Sequence, residues 1–378
     1  MRRLVLLIPI LLLLGPAFAA AAERIVEVIG PAGDGKGNPL RAPIGLARDA
    51  TGNLFVSGML SDNVFRIAPD GSVSQVIDQS GDGEGHELGG PRAIAVDAAG
   101  NLYVAGERTS NVFRVTPKGE VTQILDTSGD GSGAVSHRVI RPTALAVGPD
   151  GSVYVSSQNS NNVYRIKPEG GAAPVVTKQG DGSHELERPN ALMVDPKGNV
   201  FVAGARSNNV FRISPTGEVV LYYRGSGSLA FANNLARDEA GNVYVSGNNS
   251  GNVLRIDSEG KAVEISPAKR DGRFLGAPMA LAVSPEGVAF VARMSFSGVW
   301  RVPPVGPPAL FVAPEDVPPG ETRALKVPRG LLLDPKGSLY VSSITDHRVL
   351  RIAPGPRPAD PAPAPSEPAA AESPAPGA

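Results

Sequence analysis

A five-residue phrase recurs along the chain at nearly even intervals and restricts the fold more than any other feature. It is NVFRI at 63–67, NVFRV at 111–115, NVYRI at 162–166, NVFRI at 209–213, NVLRI at 252–256, GVWRV at 298–302 and RVLRI at 348–352. Its arginines (Arg66, Arg114, Arg165, Arg212, Arg255, Arg301 and Arg351) stand 43 to 51 residues apart. The full unit is clearest over residues 91–125, PRAIAVDAAGNLYVAGERTSNVFRVTPKGEVTQIL. Four segments there alternate apolar and polar residues, 93–96, 101–104, 111–115 and 121–125, separated by the turn formers AAGN and TPKG. Such alternation predicts short strands joined by hairpins. One four-stranded sheet with two apolar faces cannot bury both, whereas a ring of such sheets can. The expected fold is therefore an all-β propeller.

The chain ends set the blade count. The seventh copy stops after its third strand at Ile352, while residues 24–29 form an orphan strand followed by Gly33-Asp34-Gly35. The same strand and linker follow the third strand elsewhere, as in 121–125 and Gly129-Asp130-Gly131. Seven four-stranded antiparallel blades are expected, closed by the N-terminal strand joining the last blade, so that no sheet edge stays open between them. Residues 303–304, 307–308 and 314–319 are rich in proline, which cannot donate to a ladder, so the outer strand of blade 6 is expected to be weak.

Three domains follow: a signal peptide at 1–22, the propeller at 23–354 and a tail at 355–378. Arg2 and Arg3 precede an apolar run at 4–14 and small residues at 17–22, the pattern of a secretory signal cleaved after Ala19 or Ala22. The run is too short to span a bilayer, and the absence of cysteine excludes lipoprotein attachment and disulfides. A secreted or periplasmic location without stable membrane insertion is expected. The tail, rich in proline and alanine, has almost nothing to bury and is expected to be disordered. The formal net charge of −1 gives no footprint for nucleic acid. The expected partner is a protein, glycan or small-molecule ligand, bound by a monomer.

Segments such as residues 81–106, GDGEGHELGGPRAIAVDAAGNLYVAG, resemble NHL-repeat propellers. Related rings include the gluconolactonase/senescence-marker family, metal-dependent lactonases and the virginiamycin B lyase family. The resemblance implies the fold more strongly than an activity, because propellers host many functions. One departure is consistent: the acidic residue of the family pattern is replaced by Gly58, Gly106, Ser157, Gly204, Gly247, Arg293 and Ser343.

In a propeller the first strand of each blade lines the channel, and the linkers into those strands share a face with the loops between strands two and three. The residue entering each first strand is Ile44, Arg92, Thr143, Asn190, Asn233, Met279 or Arg329, and these seven are expected to ring the channel mouth. By resemblance to the gluconolactonase-like family, Asn190 and Asn233 are candidate ligands for Ca²⁺ or Mg²⁺, ions that favour oxygen donors. Arg92, Arg293 and Arg329 would bring guanidiniums to the same mouth, where they could grip a carboxylate or phosphate, with Thr143 beside them. Glu107 is the nearest carboxylate. By resemblance to virginiamycin B lyase, His86 or His184 is a candidate general base.

Two repeated features point to architecture. The Gly-Asp-Gly turns at Asp34, Asp82, Asp130 and Asp181, with a partial copy at 271–272, suit aspartates that cap their own turns. The sevenfold arginine is expected to pair with the aspartate ending the first strand: Asp49, Asp97, Asp195, Asp238 or Asp334. The function expected from all this is a binding or scaffold module working through the linker face. The alternative is a metal-dependent lactonase-like hydrolase or lyase with its site at the channel mouth.

Overall fold

Two apolar faces per sheet demand a neighbour on each side, and the computed structural model supplies one to every blade. It describes residues 24–355 apart from 226, 268, 271–272, 275, 295–297, 314–315 and 317–324. The predicted signal peptide and the tail beyond Gly355 lie outside the described residues, as do the partial turn at 271–272 and most of 314–319.

Seven four-stranded antiparallel sheets form the ring. Six span residues 43–77, 91–125, 142–176, 189–224, 232–266 and 278–312. The seventh takes three strands from residues 328–352 and its fourth from Ile25–Ile29, which pairs antiparallel with Arg348–Ile352, Ile25 opposite Ile352. First strands of successive blades lie side by side, and the last returns to the first. The seven-bladed propeller closed by its N-terminal strand is thus present. The outer strand of blade 6, Ala309–Val312, is a residue or more shorter than its equivalents. A two-residue ladder between Lys269–Arg270 and Arg273–Phe274 was not foreseen.

Seven hydrophobic clusters hold the ring, each at a seam between two blades. At the seam of blades 1 and 2, Phe55, Val64 and Ile77 meet Ile94, Val104 and Phe113. The closing seam joins Leu54 and Phe65 of blade 1 to Ile29, Tyr340 and Val349 of blade 7. Six of the described linkers also drop an aliphatic side chain into the seam three residues before the first strand: Leu40, Leu88, Val139, Leu186, Leu229 and Leu325, all 0–1% exposed. Fully burying one such side chain stabilises by about 1.5–3 kcal/mol.

Where the first strands converge, space is short. The third residue of those strands is Gly45, Ala93, Ala144, Ala191, Asn234, Ala280 or Gly330. A Cβ on Gly330 would stand 2.1 Å from the Ile44 carbonyl oxygen, and one on Gly45 would stand 2.8 Å from that of Arg92.

The recurrent phrase has physical causes. Its asparagine (Asn63, Asn111, Asn162, Asn209 or Asn252) donates from Nδ2 to a linker carbonyl, of Pro39, Glu87, Arg138, Glu185 or Ser228. Its arginine stands opposite an aromatic residue of strand two in all seven blades, from Phe55 opposite Arg66 to Tyr340 opposite Arg351. The expected arginine–aspartate pairs do not form. The strand-end aspartates are used in closing their own hairpins: Asp97 accepts from the Asn101 backbone N–H at 2.8 Å and from Asn101 Nδ2 at 2.7 Å. Among the described residues only Arg165 of the seven arginines reaches a carboxylate, that of Asp150 at 2.6 Å, in a blade where Gly148 replaces the strand-end aspartate. The Gly-Asp-Gly aspartates do cap their turns, as when Asp130 accepts from the Ser132 N–H at 3.0 Å.

A second set of contacts latches blade to blade. In five blades the residue preceding the third strand is a non-glycine residue with a left-handed backbone: Asp62, Ser110, Asn161, Asn208 and His347. Its side chain accepts from the N–H that precedes the next blade's first strand: Gly90, Arg141, Arg188, Phe231 and Ala42 in turn. His347 closes the circle from blade 7 to blade 1, its Nδ1 accepting from Ala42 at 3.1 Å. Replacing His347 by Ala should lower the unfolding free energy by about 1 kcal/mol. His347→Asn, which restores the acceptor used at Asn161 and Asn208, should recover most of that loss. Denaturant unfolding of the two variants measures the difference, and equal losses would refute the latch.

Candidate functional site

Each first strand starts with an irregularity, and that irregularity makes the mouth. Pro91 pairs with Gly106 and Ala93 with Ala105, so Arg92 is the unpaired residue of a β-bulge. The same shift places Thr143, Asn190, Asn233, Met279 and Arg329 between paired neighbours, and Ile44 lies within the corresponding shift of blade 1. A bulge frees a residue from the alternation of the strand and re-aims its side chain. All seven bulge residues line one cavity of about 480 Å³.

A second ring, of which only Glu107 was expected, follows from the ends of the second strands, and its Met59, Glu107 and Ile344 line the same cavity. It consists of the residue just past each second strand: Met59, Glu107, Gln158, Ala205, Asn248, Met294 and Ile344. Its backbone N–H donates to the carbonyl preceding a first strand, as Glu107 does to Gly90 at 3.0 Å and Ile344 to Val327 at 3.1 Å. The signal in the sequence was positional, one step beyond the missing acidic residue in each copy.

The two rings divide the mouth into sectors. Blades 2 to 5 form a polar sector. Glu107, 6% exposed, is held by Arg92, which donates to Oε2 at 3.3 Å, and by Arg141, whose Nε and Nη2 both donate to Oε1. Gln158 Nε2 donates to Asn190 Oδ1 at 2.8 Å, and Asn190 Nδ2 donates in turn to Asn233 Oδ1. Thr143 Oγ1 donates to the Pro189 carbonyl at 3.2 Å. Blades 6, 7 and 1 form an apolar sector of Met279, Ile44, Met59 and Ile344, with one guanidinium, Arg329, in its midst.

The charges do not balance. Three guanidiniums, Arg92, Arg141 and Arg329, line the cavity with one carboxylate, Glu107. Arg92 and Arg141 share that carboxylate, whereas Arg329 makes no hydrogen bond or ion pair among the described residues, and its Nε is buried without a partner. Burial, and then repulsion from Arg92, push the Arg329 pKa below the ordinary arginine value. An anion beside it would relieve both effects. For Glu107, burial raises the carboxyl pKa, but Arg92 and Arg141 outweigh it and hold the group below the usual value.

Three of the expected site residues lie elsewhere. Arg293 is fully buried, because the space between blades 5 and 6 takes its whole side chain. It donates to the carbonyls of Gly251 and Gly276, each at 2.8 Å, and to Ser266 Oγ at 2.7 Å. It stands in for the linker asparagine, which is Gly298 in blade 6. Burial lowers its pKa to about 10. His86 and His184 sit on the Gly-Asp-Gly turns and do not line the cavity. They face Asp82 at 2.7 Å and Asp181 at 3.1 Å, and the His86 pKa is raised by its hydrogen bond to Asp82. With Glu84, His86 and Asp82 cluster on that turn, which is largely exposed.

A family model described as "Lactonase, 7-bladed beta-propeller" matches residues 48–220. The resemblance covers blades 1 to 4. Among solved structures, virginiamycin B lyase from Staphylococcus aureus is similar with a TM-score of 0.67 and 13% identity, over 87% of this chain and 98% of that one. A streptogramin B lyase structure matches with a TM-score of 0.67 and 11% identity, over 86% and 96%. The extracellular domain of a putative one-component system from B. thetaiotaomicron matches with a TM-score of 0.64 and 12% identity, over 88% of this chain and 40% of that one. At these identities the likeness is one of fold. No curated protein matches the chain. Among the described residues no helix is long and apolar enough to cross a membrane.

Two outcomes test this geometry. The Glu107 carboxyl has a folded pKa below its unfolded value of about 4.3. Its contribution to stability is therefore complete above that value and lost as pH falls through the lower folded one. Glu107→Gln should flatten the acid side of the stability profile, and a profile unchanged on that side would contradict the two-arginine clamp. Arg293→Ala leaves two buried carbonyls unpaired and should destabilise by about 2 kcal/mol or more, measured by denaturant unfolding. An unchanged midpoint would remove its role as a pin between blades.

Proposed function

We propose that the chain is an exported binding propeller whose channel mouth holds a small anionic ligand, gripped by Arg329 together with Arg92. The observation that carries this is the uncompensated Arg329 guanidinium, half-buried in an apolar sector of the cavity. A guanidinium in that setting gains more from a carboxylate than an exposed one does, because solvent screens the pair less. The signal-like residues 2–22 support export, and so does the likeness to an extracellular domain.

The second reading, a lactonase-like hydrolase or lyase, is favoured by the family model over residues 48–220. The donor set speaks against the divalent cation that this reading would use. The amide oxygens of Asn190 and Asn233 each accept a hydrogen bond from a neighbouring amide. The one carboxylate lining the cavity is already shared by two guanidiniums. A surplus of positive charge repels Ca²⁺ and Mg²⁺, which require oxygen donors rich in negative charge.

Thermal unfolding of the full chain with a panel of small carboxylates, and separately with Ca²⁺ or Mg²⁺, tests the proposal. A ligand confined to the native state raises the midpoint by mass action. Carboxylates should raise it for the wild type and not for Arg329→Ala, while the cations leave it in place. If the cations raise it and no carboxylate does, the enzyme reading takes precedence.

A further inference from the structure

The distribution of groups around the mouth narrows the ligand, and this inference rests on the anion-binding reading above. We propose that the mouth captures the C-terminal end of an extended peptide whose last side chain is apolar. Three features fit three parts of such a ligand. Arg329, with no partner of its own among the described residues, meets the terminal carboxylate. The apolar sector beside it, formed by Met279, Ile44, Met59 and Ile344, takes the last side chain. The polar sector then faces the preceding peptide groups.

The polar sector is suited to peptide groups because it is itself made of amides. Gln158, Asn190 and Asn233 form a chain of hydrogen bonds that runs in one direction. At its two ends, Asn233 Nδ2 donates to no group and Gln158 Oε1 accepts from none among the described residues. A primary amide offers one acceptor and two N–H donors, so the chain keeps spare N–H donors at its Asn233 end, which lines the cavity and suits the carbonyls of a backbone. Small inorganic anions and simple acids would leave those ends and the apolar wall unused.

The rim continues the pattern. Leu60, 56% exposed, follows Met59, and Met294, 49% exposed, belongs to the upper ring in blade 6. Both are exposed apolar side chains of blades 1 and 6, the blades that supply Met59 and Met279 to the apolar sector. A cavity of about 480 Å³ admits only a short segment, which favours an end of a chain over a loop. A rigid well that takes a carboxylate, an apolar anchor and a peptide group is a known way to select chain termini.

The test uses the full chain and three probes: N-acetyl-Ala-Ala-Leu with a free carboxylate, the same peptide as its C-terminal amide, and acetate. Calorimetric titration should show the free acid binding and the amide binding roughly tenfold or more weakly, since the amide removes a charge-assisted contact. Arg329→Ala should lose that preference, and Met279→Asp should weaken the free acid while its thermal midpoint reports whether the variant folds. Equal binding of acid and amide would overturn the proposal. So would binding of acetate as tightly as the free acid, an outcome that leaves the small-anion reading standing. If neither acetate nor the peptides bind, both readings fail.

Discussion

Every blade must bury both faces, and that requirement governs the rest of the molecule. A single blade is a small sheet with apolar side chains above and below, and only a neighbour on each side removes both from water. Closing the ring makes each seam equivalent, which is why seven separate clusters, and not one central core, hold it together. The strand Ile25–Ile29 supplies the missing edge of the last blade, and its residues enter the clusters on both sides of that blade: Ile25 in one and Ile29 in the other. The burial forces the blades to converge on the axis, and convergence explains the small residues at the third position of the first strands.

The same convergence creates the mouth. A strand in regular alternation would direct this residue to one face of the sheet, toward a neighbouring blade, and the bulge turns it to the channel. One rule of backbone geometry thus delivers seven side chains to a single cavity, whatever their chemistry. The repeat holds the scaffold constant while those seven positions and the ring above them differ from blade to blade. Variation on a rigid frame is where recognition is usually found. Here it separates a polar arc from an apolar one and leaves Arg329 as the charge without a counterpart.

The fold was legible in the sequence because its cause is periodic. The phrase ending in Arg-Ile counted the blades, and the orphan strand at the N-terminus showed the closure. The mouth residues were legible for the same reason, since each follows the linker by the same step. What the pattern could not show was which polar groups satisfy one another. Asp97 and its equivalents seemed natural partners for the repeated arginines, but a turn within reach of four residues wins over a strand across the sheet. Arg293 occupied an aligned position at the mouth and yet turned inward, because blade 6 lacks the asparagine that ties the linker in blades 1 to 5. Copies that depart from the consensus are read poorly by periodicity, since their side chains answer to a neighbour and not to the repeat.

The central claim is that an anion binds at Arg329 in the channel mouth. Crystals of the full chain soaked in 4-bromobenzoate would test it most directly, by the anomalous signal of the bromine. The account predicts a single strong peak in the mouth, with the carboxylate against Arg329 and the bromine toward Met279 and Ile44. An empty mouth, or bromine found only on the outer surface of the ring, would contradict it.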